Sequence, residues 1–137
     1  MNFSRGTCFN ELYIKTDRLS PTDWDILSDG LKWARKAFPT FNNVVMHGGS
    51  PQRNEVYGYT AWTEKQGYIS LHNPSEKSQS YHLKLDKALG VPETKKRFKV
   101  DSPITNIQER SLSRHYHYGD PISVTLSPKE IIILDFM

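Results

Sequence analysis

The stretch Val56-Tyr57-Gly58-Tyr59-Thr60-Ala61-Trp62, then Thr63-Glu64-Lys65-Gln66-Gly67, then Tyr68-Ile69-Ser70-Leu71-His72 decides the fold. Its outer parts are rich in aromatic and β-branched residues, which fit a pleated, half-buried surface. The polar, glycine-ended segment between them has the length and chemistry of a hairpin loop. An antiparallel hairpin over 56–72 is therefore predicted, and its period of two is the pattern to follow outward.

Downstream, Asn73-Pro74-Ser75-Glu76-Lys77-Ser78 is turn chemistry. It leads into Ser80–Leu85, where Tyr81, Leu83 and Leu85 share one face, and Asp86–Gly90 reads as one helical turn closed by glycine. Arg97–Val100 and Ile122–Leu126 alternate again, and Ser127-Pro128 punctuates before Glu130–Phe136. The run Ile131-Ile132-Ile133-Leu134 is apolar at consecutive positions, so this last strand is expected mid-sheet with both faces covered. Residues 102–118 are expected to hold an irregular strand near Ile104–Gln108 and a polar loop. About seven short strands separated by turns indicate an antiparallel β-sandwich.

Upstream, the period changes. Ser20-Pro21-Thr22-Asp23 supplies an N-cap, a proline at the first helical position and an acid in the first turn. Trp24, Leu27, Leu31, Ala34 and Phe38 then recur at spacings of three and four, with Trp33 and Ala37 beside them. Phe38-Pro39 stops the helix, because a residue before proline is pushed out of the α region. This predicts one helix over 21–37 that buries the Trp24 stripe. The chain divides into an N-terminal segment and helix, 1–41, and a sandwich, 42–137. The fold class is mainly β: an antiparallel β-sandwich preceded by one amphipathic α-helix.

Composition narrows the function. A chain of 137 residues suits one compact unit that buries roughly two-thirds of its unfolded surface. Its longest apolar run is far short of the ~20 residues that cross a bilayer. The start, Met1-Asn2-Phe3-Ser4-Arg5-Gly6, has no apolar core of a signal peptide. The expectation is a soluble chain without membrane contact, its location otherwise open. The single cysteine, Cys8, forms no internal disulfide, and no zinc-type spacing exists. Lys and Arg number 18 against 15 Asp and Glu. The excess is spread along the chain, and the short run Lys95-Lys96-Arg97 reads as a solvated turn, so no nucleic-acid partner is expected.

No catalytic, cofactor or metal site is assigned. His115-Tyr116-His117 puts two imidazoles on one face of a strand, but no acid or cysteine at ligand spacing completes a site, and Asp120 is the nearest acid downstream. A polar edge strand or loop is the ordinary reading. In His47-Gly48-Gly49-Ser50-Pro51 a phosphate cradle would need a helix to follow; a strand follows, so the glycines read as corners at positive φ. No Gly-x-Ser-x-Gly elbow occurs, and Cys8 has no histidine beside it in sequence. Asp23, Asp25 and Asp29 come nearest to paired carboxylates, yet they crowd a helix start, where acids favour the helix dipole. Strand aromatics remain. Tyr57, Tyr59, Trp62, Tyr68 and Tyr116 are candidate carbohydrate contacts through ring stacking, with cross-strand core pairing as the alternative for each.

Several segments in order resemble one enzyme family. Arg5-Gly6-Thr7, Glu11-Leu12-Tyr13-Ile14, Trp24, Leu27 and Lys32-Trp33-Ala34-Arg35 resemble the end of the catalytic barrel of α-galactosidase-like (melibiase-like) glycoside hydrolases. Gly48-Gly49-x-Pro51, Val56-Tyr57-Gly58-Tyr59-x-Ala61-Trp62, Asn73-Pro74-Ser75 and Leu126-x-Pro128-x-Glu130 are similar to the all-β, Greek-key domain that follows it. The sequence departs from the pattern at Ser50 and His72, where an acid and an arginine are expected. The family's chemistry is retaining hydrolysis by two aspartates at strand ends of a TIM barrel, and nothing here matches its catalytic motif. The resemblance therefore implies a glycosyl-hydrolase C-terminal-domain fold and a non-catalytic accessory region that supports a missing barrel, not an enzyme by itself; the parent enzyme could be exported. The alternative is a carbohydrate-binding module. The expected partners are a catalytic barrel domain or carbohydrate. Phe3, Phe9, Leu12, Tyr13 and Ile14 are too apolar for a solvated tail, so a homodimer through the N-terminal segment is expected of the isolated chain.

Overall fold

A computed structural model describes residues 1–6, 9, 11–94, 97–104, 107 and 110–137. The strands are β1 (Val45–Gly48), β2 (Tyr57–Trp62), β3 (Gly67–His72), β4 (Gln79–Lys84), β5 (Arg97–Asp101), β6 (His115–His117), β7 (Pro121–Leu126) and β8 (Ile131–Phe136). They form a six-stranded sheet in the order β1-β2-β3-β8-β5-β6 and a two-stranded sheet, β4-β7. Every pairing is antiparallel. The hairpin that sets the pattern is present, in register from Tyr57 opposite His72 to Trp62 opposite Gly67.

The last strand shows why its sequence is apolar at consecutive positions. β8 lies inside the large sheet, between β3 and β5. Ile132, Leu134 and Phe136 enter the core between the two sheets, while Ile133 joins the cluster on the opposite face, under the helix. Trp62, Phe98 and Phe136 pack at the centre of the inter-sheet core, with ring centroids 5.0–6.1 Å apart. Asn73 closes one end. It is fully buried, and its Nδ2 donates to the carbonyls of Lys77, Leu126 and Ser127 at 2.8, 3.2 and 2.9 Å. The Asn-Pro-Ser turn is thereby tied to the end of β7, and a buried polar side chain keeps its partners.

The α-helix, α1 (Pro21–Ala37), has the predicted bounds. Ser20 and Asp23 form a reciprocal capping box, which satisfies two orphan N–H groups at the start. The face is different from the predicted one. Trp24, Leu31 and Phe38 are 41%, 44% and 56% exposed, whereas Trp33 and Ala37 are buried. At about 100° per residue, Trp33 lies roughly 180° around the helix from Trp24. The docked arc runs through Leu27, Gly30, Trp33, Ala34 and Ala37 instead of along the Trp24 stripe. Its physical basis is an aromatic cluster: Trp33 packs edge-on against Tyr68 at 5.1 Å and tilts against Phe41 at 6.4 Å. From Phe38 the chain continues through Pro39 as a 3-10 turn, Phe38–Asn43, which delivers Phe41 to that cluster.

One strand, β1, escapes the sequence reading. β1 is short and ends at Gly48, whose φ of +92° turns the chain as expected; Gly49 has no positive φ. β6 is the edge strand formed by His115-Tyr116-His117. The strand expected near Ile104–Gln108 falls largely outside the described residues; Ile104 itself sits in a bend and Ile107 in a turn.

Candidate functional site

The outer face of the large sheet carries the surface features worth testing. Tyr57, Tyr59 and Ala61 of β2 share this face with Tyr68, Ser70 and His72 of β3. α1 covers the Ala61–Tyr68 end. The short turn Phe3–Arg5 covers the middle: Tyr68 Oη donates to the Ser4 carbonyl at 2.7 Å, and Ser70 Oγ donates to Ser4 Oγ at 2.9 Å. Tyr57, Tyr59 and His72 remain at the less covered end, each half-buried. The two tyrosine rings meet edge-on at 6.3 Å, and Tyr57 Oη lies 3.1 Å from His72 Nδ1. Burial raises the Tyr57 hydroxyl pKa, with Tyr59 adding to the rise and Arg5 opposing it. Burial lowers the His72 pKa, helped by the terminal amine and Lys129.

The five candidate carbohydrate contacts therefore separate. Only Tyr57 and Tyr59 keep partly open rings. Trp62, Tyr68 and Tyr116 are buried, so none presents a ring face to solvent. Trp62 Nε1 donates to Thr60 Oγ1 at 2.7 Å, and Tyr116 Oη accepts from the Ser113 amide at 3.1 Å. Tyr116 sits opposite Phe98 and points inward, which turns His115 and His117 outward. His117 Nδ1 lies 3.4 Å from Asp120, whose carboxylate also accepts the His117 amide at 2.7 Å and so closes a turn. No group of three metal-ligating side chains occurs among the described residues. Asp23 is engaged by its cap: the Ser20 hydroxyl and amide, at 2.7 and 2.9 Å, hold its pKa below the usual carboxylate range. Cys8, Lys95 and Lys96 lie outside the described residues.

Sequence reading missed the polar groups at the helix–sheet seam. Asp135, buried on β8, accepts from Trp33 Nε1 at 2.8 Å and from Lys36 Nζ at 3.1 Å. Asp101 of β5 stands directly opposite Asp135 in the ladder. Along them runs an open cleft of about 370 Å³, lined also by Asp29, Lys32 and Ser102. The available signal was Asp135 itself, an acid between Leu134 and Phe136 in a strand otherwise apolar. A second such pair is His47 of β1, whose Nδ1 lies 3.0 Å from Tyr81 Oη of β4 and so links the two sheets. Burial lowers the His47 pKa to about 4.

No family model matches the chain, and no curated protein is similar to it. Solved structures do share its fold. A trehalulose synthase from Pseudomonas mesoacidophila MX-45 matches 84% of this chain at 16% identity and a TM-score of 0.50. Forms of that enzyme solved with glucose and with isomaltulose match equally. A Bacillus halodurans C-125 protein, provisionally ascribed α-N-acetylgalactosaminidase activity, matches 67% at 12% identity and a TM-score of 0.47. The chain spans about a fifth of the length of these proteins: 18% of the first and 20% of the second. A match over 84% is longer than residues 42–137 alone, so the fold shared with the synthase reaches into the first 41 residues.

Proposed function

We propose that this chain is a non-catalytic accessory region of a glycoside hydrolase of the α-galactosidase-like type, built to pack against a catalytic barrel. The observation that carries the reading is the extent of the fold shared with the synthase, which takes in part of residues 1–41 as well as the sandwich, inside a much longer enzyme. The contact with the barrel is assigned to the exposed apolar residues before the helix, Phe9, Leu12, Tyr13 and Ile14. The region contributes by burial. Its test is hydrolysis of a nitrophenyl α-galactoside by the purified chain, for which no turnover above the blank is expected. Turnover that disappears on Asp101→Asn or Asp135→Asn would overturn it.

A second reading has one observation in its favour. Tyr57 and Tyr59 keep partly open rings beside His72, which suits stacking against a sugar. Calorimetric titration with galactosides and glucans, repeated on Tyr59→Ala, separates the two: saturable heat lost in the variant supports a carbohydrate-binding module.

A further inference from the structure

We infer that two copies of this chain pair through α1, antiparallel and across a two-fold axis at Leu31. The inference starts from the stripe that the sandwich leaves open. Trp24, Leu27, Leu31, Ala34 and Phe38 follow a strict alternation of three and four, the a/d pattern by which one helix seats a second along its length. Leu27 and Ala34 are half-buried, while the residues at seven-residue spacing, Trp24 and Leu31 on α1 and Phe38 just past its end, stay exposed. An a/d seam fits another helix lying at about 20° to it.

The order of charges names the occupant and its direction. The N-terminal half of α1 holds Asp23, Asp25 and Asp29 and no base; the C-terminal half holds Lys32, Arg35 and Lys36 and no acid. A parallel copy would set acid against acid. An antiparallel copy sets acid against base, and the two-fold makes each contact occur twice. With Leu31 on the axis, Trp24 faces Phe38 of the second copy, and Asp25 faces its Ala37, about 3 Å along the axis from Arg35. Asp25 and Arg35 both lie on the solvent flank of the seam, and neither makes an ion pair among the described residues. Lys32, already 2.9 Å from Asp29 of its own helix, comes within one residue of level with the second Asp29 as well.

The experiment is sedimentation equilibrium of the full chain and three variants at micromolar to about 100 µM concentration, each checked by circular dichroism. The wild type is expected at twice the 15.8 kDa chain mass. Leu31→Asp is expected to stay folded, because Leu31 is exposed, and to be monomeric throughout. Arg35→Glu is expected to weaken the dimer about tenfold, and Asp25→Arg/Arg35→Glu to recover most of that loss, since the swapped pair is complementary again. A wild-type chain that remains monomeric overturns the inference. So does a dimer indifferent to Leu31→Asp, or a double variant no tighter than Arg35→Glu alone. Hydrolysis is not read in this experiment, so its failure leaves the accessory reading standing.

Discussion

The Trp33 indole N–H donates to the Asp135 carboxylate at 2.8 Å, and both residues are buried. The bond spans 102 positions of sequence and joins the C-terminal half of α1 to an interior strand of the large sheet. It explains how a helix whose more conspicuous apolar stripe faces outward is nevertheless docked. The indole ring supplies the buried area, its N–H is satisfied by the carboxylate, and Lys36 balances the remaining charge.

The two helix tryptophans should therefore behave differently. Trp33→Ala is expected to cost about 3–5 kcal/mol in denaturant melts, the loss typical of a buried large aromatic. Trp24→Ala, at a position 41% exposed, is expected to cost less than about 1 kcal/mol. Equal losses would mean that the helix is docked through the other arc.

What the sequence disclosed, and what it withheld, follows from this pair. The bounds of α1 were legible because capping chemistry is local: Ser20, Pro21 and Asp23 act within one turn. The docked arc was not, because two adjacent arcs are both apolar. Only a residue a hundred positions away decides between them. The interior position of β8 was legible from its unbroken apolar run. The site reading fared less well at Trp62, Tyr68 and Tyr116, since a strand aromatic looks the same in sequence whether it faces a core or a ligand. β1 was hidden by the glycines that terminate it.

Gly58 is a second position where the fold admits little change. It pairs with His47 across β1 and β2, and an added Cβ would fall 1.8 Å from the Ser70 carbonyl oxygen. Backbone cannot yield as a side chain tip can. Gly58→Ala is expected to destabilise by more than about 2 kcal/mol, read as a lowered denaturation midpoint with an unchanged slope.

His47 sets the expected response to acid. Its pKa is about 4 in the folded chain, lowered by burial, against an ordinary value of 6.5. Between these values the unfolded chain binds the extra proton and the folded chain does not, so stability falls as pH drops through this window. The loss is expected to be on the order of 2–3 kcal/mol by pH 4, with His72 shifted in the same direction. Melting temperatures from pH 7 to pH 4 check it. His47→Phe should flatten most of the slope, and an unchanged slope would remove His47 from the account.

α1 and the sandwich are expected to form one cooperative unit, on which both the proposed accessory role and the proposed helix seam depend. Amide hydrogen exchange of the intact chain measures this directly. Amides of Trp33–Ala37 are expected to be protected to within about 1 kcal/mol of those in β8, because opening the helix breaks the Trp33–Asp135 bond and exposes the cluster around Tyr68. A helix of 17 residues without tertiary support is marginal in water. Exchange of α1 at the rate of such a free helix, while β8 stays protected, would contradict the account.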